Sequence, residues 1–343
     1  MGRHHAAFRL ERAPGADDAD LAALKRSTLL GAVAAAAVGA PASAAAAIRS
    51  VTVLGVPTDG AKAILYAEKA GLFRKRGIDA QISAVGSGAA IFAAVLGGSA
   101  DFGSGSLFPV FSAYSRGLPL RIVAPASLYT TSHPDSMVIV AKDGPIQTPR
   151  DLNGKIVGVD FVTDVSVTAL RAWLDQHGGD GKSLRPIELK QTEQVAALDA
   201  GRIDATVVKP PYLTVAMESG KCRVLGTPLD AIAPRFLLSC WVATADFIAK
   251  NPAVVNGFAA ALNEAARWTN AHEAATLDMV ASFSGQDPAV LARGIRSTSA
   301  ETVALSDFQR PLDFAVKYGI LDHGFDLSGL LAPSVTLSRP VSG

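Results

Sequence analysis

Little in this chain invites a nucleic acid or a metal. Its 32 Lys and Arg residues and 31 Asp and Glu residues leave a formal net charge of +1. No basic stripe runs along it, so the electrostatic footprint of a nucleic-acid-binding protein is missing. Cysteine is scarce: Cys222 and Cys240 are the only two, no Cys/His cluster has zinc-like spacing, and no metal site is expected. Cys240 lies in the apolar, strand-like run 236–242, so two buried free thiols are the expected state. Aromatic residues make up 6% of the chain, and Trp173, Trp241 and Trp268 read as packing residues. No Ser/His/Asp set is recognisable. No segment is apolar over the length that a permanent bilayer crossing needs. What is present is a 49% apolar share, enough for a sizeable core, and a length of 343 residues that suits about two domains.

The N-terminus reads as a targeting segment. Lys25-Arg26 precedes an apolar run over residues 29–40, followed by Pro41 and the small residues Ala42-Ser43-Ala44. That is the pattern of a secretory signal peptide over residues 1–44, cut near Ala44 or Ala46. Lys25-Arg26 resembles a twin-arginine signal only weakly. No cysteine follows closely, so a lipid anchor is not expected, and the mature protein is expected in the periplasm.

The mature chain is organised around residues 196–212, AALDAGRIDATVVKPPY. A helix end is stopped by Gly201, which enters the left-handed cap cheaply. The chain then turns into the apolar run Ala205-Thr206-Val207-Val208, which Pro210-Pro211 terminates. The same phrase occurs earlier: Ala93, Ala94, Val95, Gly98 and Asp101 match Ala196, Ala197, Leu198, Gly201 and Asp204 at one constant offset. One unit used twice implies two similar α/β lobes. Strands over 51–56 and 78–85 alternate with helices over 61–70 and 89–96, the pattern of a parallel sheet. A strand is expected over 120–124, a polar turn over 128–135, then strands over 137–141 and 156–159 and a helix over 167–177. Helices are expected over 252–271, 273–283, 288–293 and 306–318. These patterns give a discontinuous first lobe, residues 45–135 plus 240–343, and a second lobe over 136–239.

Ligands of open α/β sheets bind at the carboxyl ends of the strands, and the candidate site residues are chosen there. Thr58 and Asp59 lie in the loop after the first strand. Gly86-Ser87-Gly88 opens a helix with free N–H groups, an anion-binding arrangement that includes Ser87 and Gly88. Ser104, Gly105 and Ser106 are expected to form a second such turn. His133 lies near the first crossing between lobes. Thr163 and Asp164 precede a helix, where Asp164 either meets a ligand or caps the helix. Lys209, Pro211 and Tyr212 follow the Ala205 strand. Lys209 is a point charge for an anion, expected to face the Ser87-Gly88 turn across the cleft. Asp101 and Asp204 repeat a structural turn and are not read as a catalytic pair.

Four phrases in combination carry a resemblance. They are Tyr66-x-Glu68-Lys69-x-Gly71-Leu72-Phe73 with Gly77-Ile78; Gly98-Ser99-Ala100-Asp101-Phe102; Asp151-Leu152-x-Gly154-Lys155-x-Val157; and Ala200-Gly201-x-x-Asp204-Ala205. Over about residues 50–270 the chain resembles the substrate-binding proteins of ABC importers. It is most similar to their nitrate, sulfonate and taurine class, which shares its fold with the thiamine-pyrimidine-synthesis proteins. The resemblance implies an α/β, two-lobed periplasmic binding protein fold of type II. Each lobe would be a mainly parallel sheet flanked by helices, joined by two crossing strands and closing on a ligand by a hinge. It implies a monomeric receptor, not an enzyme, with no cofactor, that captures a small anionic ligand. Its partner would be a membrane-embedded ABC permease with its cytoplasmic ATPase. Two alternatives stay open: a periplasmic sensor that reports to a membrane kinase, and a pyrimidine-synthesis-like enzyme. The cysteine-rich motif of the latter proteins is absent. Where many relatives carry an acidic residue before Pro-Tyr, this chain has Lys209.

Overall fold

A computed structural model of the chain describes residues 48–338 except Asp135, Phe161, Thr163 and Pro211. The leader read as a signal peptide and the candidates Thr163 and Pro211 therefore lie outside the described residues.

Alternating apolar strands and glycine-stopped helices build the first part of the chain. β1 (Arg49–Gly55), α1 (Lys62–Lys69), β2 (Ile78–Ala84), α2 (Gly88–Leu96) and β3 (Phe102–Ser106) form two successive βα units and a third strand, followed by α3 (Leu107–Ser115) and β4 (Leu120–Thr130). The chain then builds a second sheet from β5 (Met137–Ala141), β6 (Ile156–Val159), α4 (Val165–Gln176), β7 (Arg185–Glu188), α5 (Gln191–Asp199), β8 (Ala205–Val208), α6 (Tyr212–Glu218) and β9 (Cys222–Gly226). It returns through β10 (Arg235–Thr244) and continues as α7 (Ala245–Lys250), α8 (Pro252–Ala271), α9 (Leu277–Ser284), α10 (Pro288–Arg293), β11 (Thr298–Ser299) and α11 (Ser306–Lys317).

The two sheets share one topology. The first runs β11-β4-β10-β3-β1-β2 and the second β7-β6-β8-β5-β9. In both, the first strand of the βαβαβ unit is flanked by the other two in parallel, and one reversed strand, β10 or β5, pairs antiparallel on both of its sides. The repeated aspartate explains part of this likeness. Asp101 Oδ2 accepts from Thr52 N at 2.8 Å while Asp101 N donates to Thr52 O at 2.9 Å. Asp204 makes the same pair of bonds to Ile156, both at 2.8 Å. Each aspartate thus clips the start of its lobe's third strand to the first. Gly98 and Gly201 precede them at φ 75° and 66°, where a side chain would be strained.

The crossing strand β4 corrects one expectation. Residues 128–130 are not a polar turn but the buried end of β4, with Leu128 and Tyr129 inside the core. Pro125 looks like a strand terminator in the sequence. In the structure it faces Cys240, where the β4–β10 register shifts and the ladder accommodates the missing N–H. Beyond it, Tyr129 Oη and Thr131 Oγ1 donate to Asp230 Oδ1 at 2.8 and 2.7 Å, which ties the two crossing segments together. The core is continuous there: Leu128, Tyr129 and Phe236 pack in one cluster with Ala169 and Ala172 of α4. Cys240 on β10 and Cys222 on β9 are free thiols in different sheets, each raised above its ordinary pKa by burial. No helix among the described residues is long and apolar enough to cross a membrane.

Candidate functional site

The carboxyl ends of β1, β3 and β4 and those of β6 and β8 open onto one cavity of about 430 Å³. The first sheet and its loops contribute Thr58, Asp59, Ser104, Gly105, Ser106, Ser127 and Leu128. The second contributes Asp164, Ser166, Lys209 and Pro210, and His133 and Ser136 line the cavity where the chain passes between the sheets. β10 adds Leu238, Ser239 and Trp241 from its middle. Eight sequence candidates therefore share this space: Thr58, Asp59, Ser104, Gly105, Ser106, His133, Asp164 and Lys209.

Ser87, Gly88 and Tyr212 do not line it. β2 is the edge strand of its sheet, so the turn after it opens away from the central strands. Ser87 instead caps α2, accepting from Ala90 N at 3.3 Å. Lys209 consequently faces no Ser87-Gly88 turn. Tyr212 begins α6 and keeps 37% of its surface exposed. Ser104-Gly105-Ser106 is not a turn either but the end of β3. Gly105 is needed there for close approach, because a Cβ would lie 2.5 Å from the Phe92 ring. The helix-terminal donors sought at α2 come from α3 instead. Ser106, Phe108 and Pro109 line the cavity, and Ser106 makes no side-chain cap bond. That end offers the Leu107 and Phe108 N–H groups, Pro109 having none, and its dipole favours an anion.

The charged groups are paired. Arg296 donates through Nε and Nη2 to Asp59 Oδ1 at 3.0 and 2.6 Å, and Ser297 N donates to Asp59 Oδ2 at 2.7 Å. The two side chains keep 7% and 12% exposure. Lys62 lies fully buried behind them, bonded to Ser297 O and, at 3.4 Å, to Glu273 Oε1. Burial holds the Lys62 ammonium below its ordinary pKa, against the pull of Asp59 and Glu273. In the second lobe Lys209 Nζ meets Asp164 Oδ2 at 3.4 Å, while Ser166 N donates to Asp164 Oδ1 at 2.7 Å. Asp164 thus caps α4 and lines the cavity at once. Among the described residues the charged lining is two carboxylates, Asp59 and Asp164, against two cations, Lys209 and Arg296, so its charges balance.

Burial alone would raise the Asp164 carboxyl, but the Lys209 ammonium and the Ser166 amide together hold it below 3.8. A carboxyl depressed in the folded state contributes stability that is complete above its unfolded value and lost as the pH falls through its folded value. Asp164→Asn keeps a competent cap. It is therefore expected to lower neutral stability by what the charged carboxyl contributes and to flatten the loss on acidification, so that the two proteins converge at low pH. Urea unfolding across the acid range measures this, and parallel acid limbs in the two proteins would contradict it.

Sequence reasoning missed Arg296, Ser127, Ser136, Ser239 and Gln286. The last stretch looks helical, and its polar interruption, Arg296-Ser297-Thr298-Ser299, was the available signal. That stretch also packs against α6 beside the second sheet. Arg293 of α10 donates to both carboxylate oxygens of Glu218 on α6, at 2.7 and 3.4 Å. Gly294 lies so close to Thr214 that a Cβ would sit 2.8 Å from its hydroxyl, and Ile295 packs on the cluster under α5 and α6.

Comparison with known proteins adds a family and a fold. Residues 61–275 match the family model described as NMT1/THI5 like. A protein of Escherichia coli (strain K12) described as an aliphatic sulfonates-binding protein is 28% identical over 258 residues, 72% of this chain and 78% of its own length. The crystal structure of the periplasmic aliphatic sulphonate binding protein from Escherichia coli superposes with a TM-score of 0.68 at 22% identity, over 86% of this chain and 96% of that one. A desulfurization enzyme shares the architecture at a TM-score of 0.63 and 16% identity, over 83% of this chain and 96% of its own.

Proposed function

This chain belongs to the NMT1/THI5-like family, and from that premise we propose that it is an exported receptor for a small organic anion. It holds the ligand between its lobes and delivers it to an ABC permease. The observation that carries the reading is the single cavity formed by the carboxyl ends of both sheets, with Lys209 on one side and the α3 N-terminus on the other. Its volume of about 430 Å³ is that of a small-molecule site. Leu128, Leu229, Leu238 and Trp241 offer apolar surface beside the hydroxyls. That favours a sulfonate or carboxylate with a short hydrocarbon body over a bare inorganic ion such as nitrate. Binding rather than catalysis fits a cavity that neither cysteine lines, since a buried thiol raised in pKa is a poor nucleophile. The leader read as a signal peptide supports a periplasmic location, and the reading is of a monomer. Calorimetric titration with alkyl sulfonates, carboxylates and nitrate tests it: saturable one-to-one binding of an organic anion is expected, and no heat with any of them would refute it.

The Arg293–Glu218 pair gives a second test of the two-lobe reading. A contact between lobes adds to apparent affinity only through the form in which the lobes have approached. Glu218→Gln is expected to weaken binding by about two- to fivefold, because exposed pairs contribute modestly, and to act mainly on dissociation. Exchanging the two residues, Arg293→Glu with Glu218→Arg, should recover most of the loss. Stopped-flow binding reads both rates. Slower association with unchanged dissociation would contradict the assignment.

A further inference from the structure

Two polar atoms of the cavity are left unpaired by the protein. Ser136 is fully buried just before β5, and its Oγ has no hydrogen-bond partner among the described residues. Gln286 follows α9, and its Oε1 is shielded from solvent and likewise without a partner. Among the described residues these are the only two buried side-chain nitrogen or oxygen atoms in that condition, and both residues line this cavity. Orphaned buried polar groups are rare because each is costly. Two in one cavity, from separate parts of the chain, point to a shared occupant.

Much of the charged and polar lining is engaged internally. Asp59 is held by Arg296 and Ser297, and Asp164 by Ser166 and Lys209. Ser104 Oγ accepts from Val56 N at 2.9 Å, and Ser127 Oγ pairs with Ser239 Oγ at 2.5 Å. The two buried atoms without a partner differ in kind: a hydroxyl donates or accepts, whereas an amide oxygen only accepts. An occupant that satisfies both must bring an N–H or O–H donor to Gln286 Oε1, and either an acceptor or a second donor to Ser136 Oγ. Gln286 also sits next to an apolar wall of Val290, Leu291 and Ile295. A solute presenting only hydrocarbon there would leave its oxygen buried and unpaired.

We propose that Gln286 and Ser136 are specificity-determining residues that select an organic anion carrying a hydrogen-bond donor on its hydrocarbon body. The donor goes to Gln286 Oε1, and an acceptor of the ligand takes the Ser136 hydroxyl. The inference rests on the receptor reading above. It goes beyond it by dividing organic anions into two groups that the charged residues treat alike.

Calorimetry with matched probes tests it: propanesulfonate and butanoate, each against its terminal hydroxyl derivative. Wild type is expected to prefer the hydroxylated member by about tenfold to a hundredfold, the usual effect of leaving a buried polar group unpaired. Gln286→Met keeps the length of the side chain and removes the amide oxygen. It should erase the preference, because the acceptor for the probe's hydroxyl is gone. Ser136→Ala should weaken both members. A ligand-free readout accompanies these: both variants should melt no lower than wild type, because each removes a buried atom that has no partner. Equal affinity for both members of a pair in wild type, or a preference that survives Gln286→Met, overturns the inference and leaves the receptor reading standing. Lower melting temperatures in both variants would assign the two atoms a structural role and overturn it as well. Failure of all four probes to bind overturns the receptor reading, and this inference with it.

Discussion

Asp59→Asn is expected to destabilise the protein by about 3–5 kcal/mol, the cost of leaving a buried ion without its partner. The substitution preserves the shape of the side chain and removes its charge. Arg296 would remain beside it, 7% exposed, with the amide oxygen at position 59, Thr276 Oγ1 at 2.9 Å and the Glu273 carbonyl at 3.4 Å as its acceptors, none of them charged. Lys62, fully buried nearby, would lose one of the two carboxylates that support its ammonium. The loss is large against the whole stability of a domain, about 5–15 kcal/mol. Equilibrium unfolding in urea measures it. The double substitution Asp59→Leu with Arg296→Met separates the pair's net worth from the penalty of breaking it. Buried pairs replaced together by apolar residues often lose little, so the double variant should be more stable than Asp59→Asn. A single-variant loss below about 1 kcal/mol, the range of solvated pairs, would show that water reaches the guanidinium.

Lys209→Met is expected to weaken binding of the anionic ligand by about tenfold to a hundredfold, because a charge-assisted contact contributes roughly 1.5–3 kcal/mol. Methionine retains most of the hydrocarbon stem, so the change isolates the ammonium. The balanced site makes the converse substitution informative. Asp164→Asn removes the carboxylate 3.4 Å from Lys209 and leaves the charged lining with an excess cation. It should therefore tighten binding of a simple organic anion, while a ligand carrying its own ammonium would bind more weakly. The Lys209 side chain keeps 34% exposure, so added salt should narrow the difference between wild type and Lys209→Met. Equal affinity in the two proteins would leave anion binding to the backbone donors of α3 alone.

The fold was largely legible because it is written twice. The Gly98–Asp101 and Gly201–Asp204 phrases recur because each must make the same turn and clip the same pair of strands. The C-terminal helices were legible from their prolines: Pro252 and Pro288 stand in the first helical turn as expected. What was not legible depends on order in space. Strand order is set by the pairing of β10 with both β3 and β4, across more than a hundred residues of chain. Without it, nothing distinguishes the turn after edge strand β2 from the ends of the central strands, and Ser87 and Gly88 were chosen by local pattern alone. The end of β4 was lost because Pro125 reads as a stop wherever a register shift is invisible. Arg296 and Gln286 reach the cavity from the far end of the chain, Gln286 from the short break between α9 and α10 and Arg296 from the break after α10, and neither break carries a recognisable ligand-binding pattern. Lys209 and Asp164 were found because strand end and helix start are local signals, but their pairing is a tertiary fact.

Native mass spectrometry of the protein titrated with short-chain sulfonates and carboxylates tests the central claim most directly, because one spectrum reports how much is bound and in what chemical form. The receptor account expects one added mass per chain, equal to that of the intact anion and saturating with concentration. A spectrum without any adduct, or with the mass of a desulfonated or otherwise converted product, would contradict it.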